Sequence, residues 1–83
     1  MTLEKHDLVH EFPESKEAIH NLKLNDHHFA RLFGEYNDVE HAVHRIETGA
    51  EHTSDEELED LKKQRLHLKD QLSTMIRAYE STL

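Results

Sequence analysis

The sequence contains no cysteine and very few residues that break helices. Its 83 residues include two glycines, one proline and no tryptophan. Without cysteine, a disulfide scaffold, a thiolate zinc site and a thiol nucleophile are excluded. Two isolated glycines cannot form a phosphate-binding loop, and a fold with many tight turns needs more glycine and proline. The composition therefore favours an all-α fold.

Long apolar runs and an excess of basic residues are also missing. No stretch approaches the roughly 20 apolar residues of a membrane span, and the first residues lack the basic and then apolar order of a signal peptide. The 18 acidic residues outnumber the 10 basic ones, and the net charge of −8 repels nucleic acid phosphates. We therefore predict a cytoplasmic protein with no membrane partner, no nucleic acid partner and no cofactor.

Apolar residues recur with the spacing of a coiled coil in two long stretches. Between Phe29 and Ala50, and again between Leu58 and Tyr79, the steps alternate between three and four residues. We call these sets the first seam (Phe29, Leu32, Tyr36, Val39, Val43, Ile46, Ala50) and the second seam (Leu58, Leu61, Arg65, Leu68, Leu72, Met75, Tyr79). Arg65 is the one polar member, and a basic residue at such a position fixes the register at a cost in stability. Arg65→Leu is therefore predicted to raise the melting temperature.

The segment between the two seams predicts a turn. Gly49 suits the end of a helix because it adopts a positive φ without a Cβ clash. Thr53 with Glu56, and Ser54 with Glu57, have the spacing of a capping box, so the next helix is predicted to begin at residue 54 or 55. Two helices joined by a short turn, each with one seam, form an antiparallel hairpin.

These signals divide a single domain, residues 1–83, into consecutive parts. The N-terminal segment 1–12 is predicted to fray, and Pro13 is well placed at the start of a helix. The parts that follow are a short helix over 14–24, a first arm over 26–48, a turn over 49–54 and a second arm over 55–81. The predicted fold is a long, coiled-coil-like two-helix hairpin with a short N-terminal helical segment.

Three stretches of the sequence resemble one known family. They are residues 6–14, residues 29–36 and residues 61–70, and the string Arg-Leu-x-Leu-Lys-Asp over 65–70 is the most specific part. Together with linking segments they are similar to the YdcH-like family of small, mostly bacterial proteins of unknown function, over nearly the whole chain. The resemblance implies a self-associating helical hairpin of coiled-coil character. It implies no catalytic residue, because the family has no established activity, and Gly34 departs from the polar helix formers more usual there.

Nine histidines raise the question of a metal site, although none lies on a seam. His6 and His10 are four residues apart, a spacing that places two imidazoles on one helix face, and His41 and His44 are three apart. Each pair supplies only two of the four ligands of a typical zinc site. We therefore predict no metal site, and a histidine-based transition-metal binder is kept as an alternative hypothesis.

No combination of residues indicates catalysis. The serines lack the flanking glycines of a nucleophile elbow. Pairs of acids lie on predicted helix surfaces in water, and a two-helix hairpin offers no cleft to enclose them. We therefore predict that the protein is not an enzyme.

Apolar residues outside the seams predict contacts between chains. Ile19, Phe33, Leu66 and Ile76 lie off the seams, and a lone hairpin of this size leaves many such residues half exposed. We therefore predict self-association into a dimer or larger bundle, and an interaction or adaptor role with an unknown protein partner. The predicted interaction surface is Phe29, Leu32, Phe33, Tyr36, Leu66, Leu68 and Leu72. A further alternative is an acidic decoy for a basic, nucleic-acid-binding protein, because residues 51–60 hold six acids and no base.

Overall fold

The computed structural model describes residues 8–82, and every regular element in that range is helical. This confirms the prediction of an all-α chain. None of these helices is long and apolar enough to cross a membrane. The elements are α1 (Leu8–Glu11), a 3-10 turn (Pro13–Ser15), α2 (Lys16–Asn25), α3 (His27–Glu47) and α4 (Asp55–Glu80).

The two long helices, α3 and α4, run antiparallel and form the hairpin. Two ion pairs between them show the direction: Lys62 pairs with Glu47 at 3.5 Å, and Arg65 pairs with Glu40 at 3.6 Å. A later residue of α4 thus meets an earlier residue of α3. The described part of the chain measures 43 × 25 × 17 Å, an elongated shape that follows the 26-residue length of α4.

Local hydrogen bonds define where the helices begin and end. The Asp26 carboxylate accepts from the backbone N–H of Phe29 at 3.0 Å and caps α3. Ser54 Oγ accepts from the backbone N–H of Glu57 at 3.1 Å and caps α4. Gly49 has a φ of +83° after the end of α3, and its N–H donates to the Ile46 carbonyl at 3.1 Å. These contacts turn the chain between the arms with few residues.

The N-terminal helices pack against one end of the hairpin. We call that end the inner half (residues 27–37 of α3 and 68–80 of α4) and the remainder the outer half (residues 38–67). The Glu11 carboxylate pairs with Lys69 at 3.0 Å, which holds α1 against α4. The main core lies here and contains Leu8, Ala18, Ile19, Leu22, Phe29, Leu32, Tyr36, Leu72 and Ile76. The inner half is therefore a small helical bundle within one chain.

This arrangement bears on two expectations from the sequence. Within segment 1–12, which is predicted to fray, residues 8–11 form α1 and Leu8 is completely buried; residues 1–7 lie outside the described part. Ile19 and Ile76 belong to the core, and Phe33 packs against it beneath the Lys23 ammonium group. The N-terminal helices thus supply cover that the sequence assigned to a second chain.

Candidate functional site

The seams are buried unevenly along the hairpin. In the outer half, Val43 is the one hydrophobic side chain that is fully buried. The other seam positions there stay half-buried, and the turn residue Ala50 is exposed. The half-buried set is Val39, Ile46, Leu58 and Leu61. The cause is geometric: two helices alone can enclose only the middle of the stripe that they share, and α1 and α2 do not extend to this end.

A buried ion pair crosses the seams at the start of the outer half. Glu40 is only 2% exposed, and its Oε1 lies 3.6 Å from Nη1 of Arg65. The Arg65 side chain is 20% exposed, and its buried Nη1 has no hydrogen-bond partner in the described chain. A buried carboxylate of this kind depends on its partner, because an unpaired charge away from water is costly.

Sequence reasoning found Arg65 but missed Glu40. In the heptad numbering that places Phe29 at position a, Glu40 falls at position e, just outside the first seam. The available signal was its spacing: Glu40 follows the seam residue Tyr36 by four residues, and residues four apart lie on the same helix face.

An open groove of about 370 Å³ runs between α3 and α4. Each of the two helices contributes three residues to its lining. Val39 and Leu68 supply its apolar lining, and both are half-buried. Its polar lining includes two carboxylates, from Glu35 and Asp38, and no lysine or arginine. The remaining lining residues are Gln64 and His67. An open groove with an apolar lining and charged edges suits contact with another polypeptide.

The predicted interaction residues do not form one surface. Four of them are buried in the core of the chain itself and leave no area for a partner: Phe29, Leu32, Tyr36 and Leu72. Phe33 and Leu68 are half-buried, and Leu66 is 58% exposed. Leu66 and Leu68 are two residues apart, so they point about 200° apart around α4. Sequence spacing could not separate the inner positions from the accessible ones, because it does not show that α1 and α2 cover one end.

The histidines in the described part of the chain do not form a recognisable metal site. His41 is exposed and His44 is half-buried. Within residues 8–82 no three histidine, aspartate or glutamate side chains come together as a metal ion would require. His6 and the side chain of His10 lie outside what the structure describes. The pair of His41 and His44 therefore has no third ligand in the described chain.

The acidic end of the hairpin consists of exposed side chains. Two of the carboxylates there pair with bases of the same chain: Glu47 with Lys62, and Glu51 with Arg45 at 3.6 Å. Exposed pairs of this kind contribute little to stability. Asp55, Glu56 and Glu57 occupy the first turn of α4, where the helix dipole favours negative charge. This local role accounts for three of the six acids of residues 51–60.

The class of protein is thus a small all-helical chain whose long hairpin is packed at one end by two shorter helices. A family model described as "Protein of unknown function (DUF465)" matches residues 29–76, which include the first seam, the groove and all of the second seam except Tyr79. Uncharacterized protein YdcH of Escherichia coli (strain K12) is 34% identical over 61 residues, covering 74% of this chain and 82% of the relative. Uncharacterized protein YdcH of Shigella flexneri matches to the same extent. The chain therefore belongs to the DUF465, or YdcH-like, family, as the resemblance predicted. No solved structure matches it.

Proposed function

We propose that this chain is a small cytoplasmic interaction protein without catalysis, and that its hairpin self-associates through the outer half. The observation that carries the proposal is the uneven burial of the seams. The inner half is completed by α1 and α2, whereas Ile46, Leu58 and Leu61 of the outer half remain half-buried.

A second hairpin would complete the outer half in the way that the short helices complete the inner half. Two hairpins that pack through their outer halves form a four-helix bundle, which covers apolar side chains on the flank of each hairpin as well as its stripe. Burial of that apolar surface is favourable by about 25 cal/mol per Å². Leu66 lies in the outer half and is 58% exposed, so it is the large apolar side chain with most area to gain there.

The accessible polar groups support a role in binding more than one in catalysis. The carboxylates of the groove stand on exposed stretches of α3, at the edge of a cavity that is open to water. Enzyme sites typically enclose their substrates and exclude water around the reacting groups. We therefore assign this hairpin contacts between helices and no chemical step.

Sedimentation velocity over a range of protein concentrations tests self-association. We expect a mass at least twice the 9.8 kDa of one chain at micromolar concentration. Leu66→Glu places a charge in the contact and should shift the mass toward that of a single chain. Because Leu66 is exposed within the chain, circular dichroism should show the same helix content as in the wild type.

Leu24→Glu is the matched control. Leu24 is 71% exposed, more than Leu66, but it lies on α2, beside the inner half. The same change of side chain there should leave the oligomer intact. A single-chain mass at every concentration, or an equal effect of the two substitutions, would contradict self-association through the outer half.

A further inference from the structure

We infer that the groove between α3 and α4 binds a basic amphipathic helix of another protein. The groove combines apolar side chains, Val39 and Leu68, with carboxylates at its edge and no lysine or arginine. Amphipathic helices bind such grooves by inserting apolar side chains, while their charged residues contact the rim. This proposal goes beyond self-association, because it concerns a different face of the hairpin from that of Leu66.

The carboxylates at the groove have no partner within residues 8–82. Neither Glu35 nor Asp38 forms an ion pair or a hydrogen bond there. In contrast, two other acids of α3, Glu40 and Glu47, are paired with basic residues of α4. Of the four acids of α3, the two without a partner are thus the two that stand beside the apolar lining. This distribution favours a ligand that brings positive charge to the groove.

The spacing of the two acids fits a helical ligand. Glu35 and Asp38 are three residues apart on one helix, so they are neighbours on its surface. Lysine or arginine side chains one turn apart on a bound helix can reach one carboxylate each. The groove volume of about 370 Å³ lies at the lower end of the range for ligand pockets, so it accommodates a few apolar side chains of that helix.

A second copy of this chain is a poorer occupant of the groove. Each copy carries a net charge of −8 and brings the same two carboxylates. Three of the five lysines and arginines of α4 are already engaged by carboxylates of their own chain: Lys62, Arg65 and Lys69. Like charges placed opposite each other across an interface oppose binding. The occupant is therefore a different, basic protein segment.

A pair of synthetic peptides tests this inference on the full-length chain. The first is a fluorescein-labelled helix of about 16 residues, with leucines along one face and lysines beside them, long enough to hold helical structure. The second has the same leucines with glutamates in place of the lysines. Fluorescence anisotropy at about 0.1 M salt should show binding of the basic peptide, and an affinity at least about tenfold lower for the acidic one.

Charge reversal locates the binding site. The double variant Glu35→Lys with Asp38→Lys should bind the basic peptide with an affinity at least about tenfold lower, because its positively charged rim repels the peptide. The matched control is Glu56→Lys with Glu59→Lys, two exposed acids near the turn, which changes the net charge by the same amount. The control should change the affinity by less than about threefold, as expected for long-range attraction screened by salt.

The results separate this groove from the self-association face. Leu66→Glu should keep its affinity for the basic peptide, because Leu66 lies on another side of α4. Equal binding of the two peptides, equal losses in the two double variants, or loss of binding in Leu66→Glu would each overturn the proposal. Failure of the chain to self-associate would leave it standing.

Discussion

Gly34 and Gly49 differ in backbone conformation, although both leave open space where a Cβ atom would stand. Gly49 has a φ of +83°, in the left-handed region, and lies just past the end of α3. Gly34 lies inside α3, with its surface exposed to solvent. At both positions, no atom lies within 4 Å of an added Cβ. The effect of alanine is therefore decided by the backbone alone.

We expect the same substitution to have opposite effects at these two glycines. Gly34→Ala should stabilise the chain by up to about 1 kcal/mol, because alanine is the better helix former. Gly49→Ala should destabilise it by about 1–2 kcal/mol, because an L-residue is strained at this φ. Thermal denaturation followed by circular dichroism measures both, and about 1 kcal/mol corresponds to a shift of about 4–8 °C for a chain of this size. Changes of equal sign would contradict the backbone conformations described here.

At the scale of whole helices, Glu40 and Arg65 determine how α3 and α4 align. Among the ion pairs within residues 8–82, theirs is the one in which a charged side chain, that of Glu40, is almost completely buried. A shift of one helix along the other would separate them and leave the Glu40 carboxylate buried without a cation. Such a pair adds little net stability compared with apolar residues, but it penalises other registers.

This pair reverses the expected effect of replacing Arg65. The sequence alone predicts that Arg65→Leu raises the melting temperature. With Glu40 buried beside it, we expect a loss of about 1–3 kcal/mol, because a buried charge is left unpaired. Glu40→Leu should cost less, because the Arg65 side chain is 20% exposed and can extend toward water. Urea denaturation of both single variants measures these losses.

The double variant Glu40→Leu with Arg65→Leu provides the control. It removes both charges, and we expect it to be at least as stable as the Arg65→Leu variant and close to the wild type. The difference between the double variant and the sum of the single ones gives the coupling energy. A fully stable Arg65→Leu variant would show that Glu40 does not depend on its partner.

At the scale of the molecule, the periodic features of the fold could be predicted and the contacts between distant segments could not. The seam spacing between Phe29 and Ile46 predicts a long helix, and Gly49 and Ser54 mark the turn because their effects are local. The position of α1 and α2 depends on Leu8 and Ile19 meeting residues far along the chain. No periodicity within one segment contains that information.

The same distinction applies to the candidate sites. Leu66 could be identified because it lies off the second seam, and it is indeed exposed. The groove could not, because it depends on which face of α3 meets α4 and on the pairing of individual acids. Glu35 and Asp38 look like any other surface carboxylates in the sequence. The structure distinguishes them by their place at the edge of the groove and by the pairing of the other two acids of α3, Glu40 and Glu47.

The uneven core predicts that the two ends of the hairpin open at different rates. Opening the outer half exposes one fully buried hydrophobic side chain, Val43, whereas opening the inner half exposes the main core. Local stability follows the number of buried apolar contacts. In dilute solution we expect backbone amides of residues 39–46 and 58–64 to exchange with deuterium at least about tenfold faster than those of 29–36 and 72–76.

Protein concentration extends this measurement to the proposed self-association. Raising the concentration should slow exchange in the outer half and leave the inner half unchanged, because only the outer seams gain cover from a second hairpin. Leu66→Glu should abolish that concentration dependence and keep the difference between the two ends. Uniform protection along both arms in dilute solution would contradict the uneven core itself. If the difference in exchange rate between the two halves persists unchanged at high protein concentration, no second chain covers the outer half. The measurement thus tests the stability of the hairpin and its self-association separately.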